Sequence, residues 1–163
     1  MNTHQLKTRI QAFLGFFIFF LIISGLTAFP LESELCLLNN WTQHAPDFIR
    51  IWISDVYSAI RDTNTHYPFM AYGTDWLAFA HLIIALVFIG PLMDPVRNIW
   101  VIRFGMIACI LIFPLAFICG PIRHIPLYWS LIDCSFGVFG FIPLYICYRY
   151  TRRLEKLNVQ PTS

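Results

Sequence analysis

Four long apolar runs alternate with short polar breaks along this chain, and one longer polar stretch separates the first run from the second. The runs cover residues 10–29, 76–93, 100–122 and 126–148, and the longer stretch covers 30–74. A hydrocarbon core of about 30 Å takes on the order of 20 helical residues to cross, and each run approaches or meets that length. The first is uncharged and is stopped by Pro30. The pattern therefore predicts an all-α bundle of four membrane-spanning helices in a single integral domain covering residues 1–163.

Within the 30–74 stretch, positions 46–62 carry a clear helical period. Phe48, Ile51, Trp52, Val56 and Ile60 fall on one face, and Asp47, Arg50, Ser54, Ser58, Arg61 and Asp62 on the other. Pro46 suits a first-turn position. The pattern predicts an amphipathic helix on the outer face, between spans one and two, covering the bundle. Its charges nearly balance, which argues against a basic lipid-binding helix. The other connections are short, so spans two, three and four are expected to run antiparallel as neighbours.

Composition agrees with the runs. Of 163 residues, 58% are hydrophobic and 12% charged, against about 25% charged in an ordinary soluble domain. The formal net charge of +2 is dispersed, and nucleic acid is not an implied partner. The basic residues set an orientation. With both termini cytoplasmic, the inner segments hold Lys7, Arg9, Arg97, Arg103, Arg149, Arg152, Arg153 and Lys156, and the outer segments hold Arg50, Arg61 and Arg123. That is a positive-inside bias, and an even number of spans returns the chain to its starting side. The basic tail TRRLEK is expected at the cytoplasmic lipid surface. Lys7 and Arg9 ahead of an apolar run also resemble a signal peptide. The run, however, exceeds the usual core of about 7–15 residues and lacks an A-x-A site, so a retained anchor is the better reading.

Against this apolar background, two ionisable side chains lie well inside the runs. His81 is six residues inward from Asp75 and Asp133 is seven inward from Pro126, roughly 9 and 10 Å of helical rise. Both depths fall in the outer half of the membrane. An ionisable group in hydrocarbon costs several kcal/mol unless it is paired, neutralised or wet, which makes it a candidate functional residue. Asp133 shares a stripe with Ser130, Gly137 and Gly140, and His81 shares one with Ala78 and Ala85. Gly105, Cys109, Ala116 and Gly120 form a similar stripe on the third run. Small residues let membrane helices approach closely, so these stripes predict protein-facing sides.

Three readings of His81 and Asp133 compete. In the favoured one they hydrogen-bond to each other or to backbone and lock helices together. In the second they belong to an outward-opening polar pocket with Asp75, Arg123, His124 and His66, able to take a proton, a metal or a small ligand. In the third His81 ligates a haem, which is weakest because b-type ligation across helices usually needs two axial ligands and His81 is the only histidine inside a run. No pair of His or Cys falls at i, i+4 spacing, so neither a metal nor any other cofactor is predicted. Five cysteines build no framework, and no CxxC or CxxCH occurs. A Cys36–Cys119 disulfide is conceivable, with inert thiols the favoured reading. A Ser/His/Asp triad, a phosphate-binding loop, HExxH and a nucleotide fingerprint are all missing, so the sequence leans away from an enzyme.

The stretches HYPFMAYGTDWLAFAH and GPIRHIPLYWSLIDCSFGVFG, within roughly residues 64–150, resemble segments of small bacterial inner-membrane proteins with four predicted helices. The resemblance implies a bacterial cytoplasmic membrane. It attaches no activity and carries over no site residues. The function expected from all of this is a non-enzymatic accessory or small-ligand-binding membrane subunit. Its contacts would be lipid, other membrane subunits or further copies of itself. The contrasting expectations are a redox, metal or haem protein using His81 and His124, and a small transporter or channel subunit.

Overall fold

The computed structural model describes residues 2–159, and every regular element among them is helical. The α-helices are α1 (Thr3–Ala28), α2 (Leu31–Trp41), α3 (Asp47–His66), α4 (Ala71–Val87), α5 (Ile89–Met93), α6 (Ile99–Ile122) and α7 (Leu127–Val159), with 3₁₀ turns at Thr42–His44 and Pro68–Met70. Four segments among the described residues are long and apolar enough to cross a membrane: Thr3–Ala28, Pro68–Met93, Ile99–Ile122 and Leu127–Leu157. Most of their surface is exposed apolar side chain, as lipid contact requires. The chain is a multi-pass membrane protein of all-α class, with α2 and α3 between spans one and two.

Several boundaries differ from the pattern in the sequence. The second span is broken at Phe88, and Pro91 is the cause. A proline has no N–H to give the carbonyl four residues back and its ring clashes with that group; four residues back is Val87, where α4 ends. Much of the 30–74 stretch is helix, because α2 precedes α3. Leu31, Leu35 and Leu38 supply one apolar face of α2, and Glu32 and Glu34 sit in its first turn, where the helix dipole favours negative charge. Pro46 lies just before α3 with ψ 144°, an extended residue at the cap, outside the first turn. At the other end of the chain, α7 runs on to Val159, and Thr151 and Leu154 are buried. The basic tail is thus a packed continuation of the same helix that forms the fourth span.

The chain divides into two compact units. The first unit comprises residues 1–19 and 86–163. Its centre is the α6–α7 pair, whose backbones approach closely at small residues. A Cβ added at Gly137 would lie 2.7 Å from the Cys109 carbonyl oxygen, and one at Gly140 would lie 2.9 Å from Cys109 Sγ. Gly120 closes against Ser130 Oγ, and Gly105 against Phe88 and Leu144. The small-residue stripes at Gly105, Cys109, Gly120, Gly137 and Gly140 therefore do face protein. From α1, Leu6, Ile10 and Leu14 are buried along one face. Cys147 Sγ donates to the Ile10 carbonyl at 3.7 Å, and Phe17 meets Phe88 with ring centroids 4.8 Å apart.

The second unit comprises residues 20–85. Here α2 and α3 form a helical hairpin around Leu35 and Ile53. It is tied by Asn64 donating to Glu32 at 2.7 Å. The neighbouring Cys36 thiol, with burial as the smaller cause, pushes the Tyr57 phenol above its ordinary range. The end of α1 meets α4 at Gly25, where an added Cβ would lie 2.9 Å from the Ala78 carbonyl oxygen.

Candidate functional site

His81 stands in the middle of α4, half-buried. Its Nδ1 is 2.8 Å from the Leu77 carbonyl oxygen one turn back. A carbonyl only accepts, so Nδ1 carries the proton, and in the neutral ring Nε2 is left as an acceptor or ligand atom. The close approach at Gly25 includes His81, whose Cβ would be 3.2 Å from an added Cβ there. Helix-to-helix packing therefore fixes the root of this side chain, and the backbone bond fixes its ring.

Asp133 stands on α7 in the other unit, also half-buried. The buried stripe of α7 runs through Ser130, Cys134, Gly137, Leu144, Cys147, Thr151 and Leu154. Asp133 lies at the margin of that stripe, and among the described residues no group hydrogen-bonds or ion-pairs with it.

Arg123 and His124 sit together at the end of α6, both exposed. His124 has φ 57°, the left-handed conformation. The bonds around it, Ile125 N–H to the Gly120 carbonyl at 2.9 Å and His124 N–H to the Pro121 carbonyl at 3.2 Å, are those of a Schellman motif. Glycine usually fills that place, because a side chain there costs about 1 kcal/mol or more. His124→Gly is therefore expected to raise thermal stability in detergent, by about 1 kcal/mol. A lower melting point for this variant would show that the imidazole holds the turn through contacts of its own.

The remaining candidates, His66 and Asp75, lie on α3 and α4. His66 is exposed on α3, where it pairs with Asp62, Nδ1 to carboxylate oxygen 3.1 Å, in a solvent-screened i, i+4 contact. Asp75 is half-buried in the first turns of α4. Among the described residues no group of three or more His, Cys, Asp or Glu side chains is placed to hold a metal ion. All five cysteines are free thiols.

No known protein family, curated protein or solved structure matches this chain. Its description is therefore that of its fold, four apolar spans with a helical hairpin between the first two.

One further set of residues is joined by contacts that helical spacing alone does not show. Arg9 donates to the Tyr150 hydroxyl at 3.4 Å, Arg103 to Tyr148 at 3.5 Å and Arg149 to Tyr145 at 3.1 Å. Arg103 and Arg149 also stack over the rings of their partners, 5.4 and 5.9 Å from the centroids. Only the Tyr145–Arg149 spacing of i, i+4 was visible in the chain; the other two pairs join residues far apart in sequence. Lys7 and Arg97 line a cavity of about 370 Å³ with Asp94 and Leu154 in the same unit.

Proposed function

We propose that this protein is a non-enzymatic accessory subunit of the bacterial cytoplasmic membrane, recognising a partner within the bilayer. Asp133 is its leading functional residue and His81 a second polar position. The observation that carries this reading is the half-buried Asp133 side chain, which has no partner among the described residues of its own chain. A carboxyl group in an apolar span favours a cation, a donor or a bound small ligand supplied from outside, because hydrocarbon offers nothing in exchange for water. The larger number of basic residues in the segments that hold Lys7, Arg9, Arg97, Arg103 and Arg149 than in those that hold Arg50, Arg61 and Arg123 supports an orientation with both termini cytoplasmic. Asp133, Arg123 and His124 would then lie toward the outer face.

The test is purification of tagged protein from its native membrane in a mild detergent. We expect a membrane polypeptide in fixed stoichiometry that Asp133→Asn releases, with the variant folded and present at the wild-type level. An unchanged association would remove Asp133 from the reading. Absorption spectroscopy and metal analysis of the same sample are expected to show neither a Soret band nor stoichiometric metal. Either signal would replace the accessory reading with a cofactor-bearing one.

A further inference from the structure

At one end of the first unit an apolar groove and two arginines meet. The groove, about 400 Å³, is lined by Ala12, Phe13 and Phe16 of α1 and by Phe139, Ile142 and Pro143 of α7. Its walls are almost wholly carbon, so water is a poor occupant and a hydrocarbon chain a good one. On α1, Arg9 shares a helical face with Phe13 and Phe16, at i+4 and i+7. On α7, Ile142, Tyr145 and Arg149 form the same kind of stripe. Both walls thus lead to an arginine beyond the groove: Arg9 lies four residues, about 6 Å of helical rise, from Phe13, and Arg149 lies seven residues, about 10 Å, from Ile142. The Arg9–Tyr150 hydrogen bond joins the two helices at that level.

Both guanidinium groups are exposed, donate to phenol oxygens and make no ion pair among the described residues. A tyrosine hydroxyl positions a guanidinium without neutralising it, and the remaining N–H donors stay open. The planar fork of arginine matches phosphate oxygens, and the ends of a membrane span lie at the depth of lipid phosphates.

We infer that Arg9 and Arg149 together bind the phosphate of one anionic phospholipid, whose acyl chain lies in the groove between Phe13, Phe16, Phe139 and Ile142. The charge of the two arginines selects the anionic headgroup and the groove holds the chain. This goes beyond general solvation by the bilayer, because it gives one lipid class a fixed seat.

The experiment is native mass spectrometry of the full-length protein in detergent, titrated with phosphatidylglycerol or phosphatidylcholine of identical acyl chains. The wild-type protein is expected to retain phosphatidylglycerol about tenfold better, and Arg9→Gln/Arg149→Gln to erase that preference. The Arg9→Lys/Arg149→Lys pair, which keeps the charge, should recover part of it and guards against misfolding of the glutamine pair. Ala12→Trp, which fills the groove, should weaken retention of both lipids while the helical circular dichroism is unchanged. Equal retention of the two lipids by wild-type protein would overturn the proposal. So would a preference that survives loss of both arginines, or lipid binding indifferent to Ala12→Trp. A wild-type dimer that Ala12→Trp dissociates would assign the groove to a second copy of the chain and also overturn it.

Discussion

Gly137→Ala is expected to destabilise the α6–α7 pair by about 2–3 kcal/mol, a large effect for one added methyl group. The reason is what the methyl meets. Its Cβ would lie 2.7 Å from the Cys109 carbonyl oxygen and 3.3 Å from a ring carbon of Phe113. A carbonyl in mid-helix cannot rotate away, so relief requires the helices to separate and give up packing along their whole contact. Gly140 offers a graded comparison, since its nearest obstacle is the Cys109 sulfur at 2.9 Å, and a side chain can change rotamer. Gly15 is the control: nothing lies within 4 Å of an added Cβ there. Gly15→Ala should leave stability unchanged or raise it by up to about 1 kcal/mol, because alanine restricts the unfolded chain and favours helix. The three variants can be ranked by unfolding in mixed detergent micelles followed by circular dichroism. Equal losses at Gly137 and Gly15 would mean that helix approach does not set the stability of this unit.

Asp133→Leu is expected to act in the opposite direction, making the folded, inserted protein more stable by about 2–3 kcal/mol while releasing its partner. On insertion scales aspartate in mid-span costs about 2.5–3.5 kcal/mol and leucine is favourable by about 0.3–0.6. Asp133 is less deep than mid-span, which trims the gain. Among the described residues none offers it a hydrogen bond to offset the cost, so replacing the carboxyl removes a penalty and breaks no contact there. A residue that weakens its own fold and keeps no internal partner fits an external role, and the paired loss of association is the sign of it. The measurement combines the unfolding titration above with co-purification. If Asp133→Leu destabilises as severely as Gly137→Ala, the carboxyl belongs to the internal packing and the accessory-subunit reading falls.

Much of this architecture could be read from the chain because hydrocarbon is a demanding solvent. Every backbone polar group in it must be satisfied within the segment, so an apolar run of sufficient length has few choices besides helix. The α3 helix was equally legible from the period of Phe48, Ile51, Trp52, Val56 and Ile60. The α2 helix was not, since its apolar face rests on Leu31, Leu35 and Leu38 and its end carries Asn39 and Asn40. The break at Phe88 was present in the sequence as Pro91, four residues after Val87. The Schellman turn was concealed because histidine stands where glycine is usual.

The candidate site divides along similar lines. Depth along a helix depends on residue number alone, so the chain by itself placed His81 and Asp133 inside spans and marked the small residues of α6 and α7 as a contact face. Partnership depends on distances between segments far apart in sequence, and those were decided by the tertiary structure. It left Asp133 at the margin of its stripe, whereas His81 and His66 meet partners one turn away on their own helices, at Leu77 and Asp62. It also set Arg9 beside Tyr150, where two helices remote in the chain enclose a groove. Local solvation is written in composition and period; the direction a side chain takes is settled only when another helix arrives to receive it.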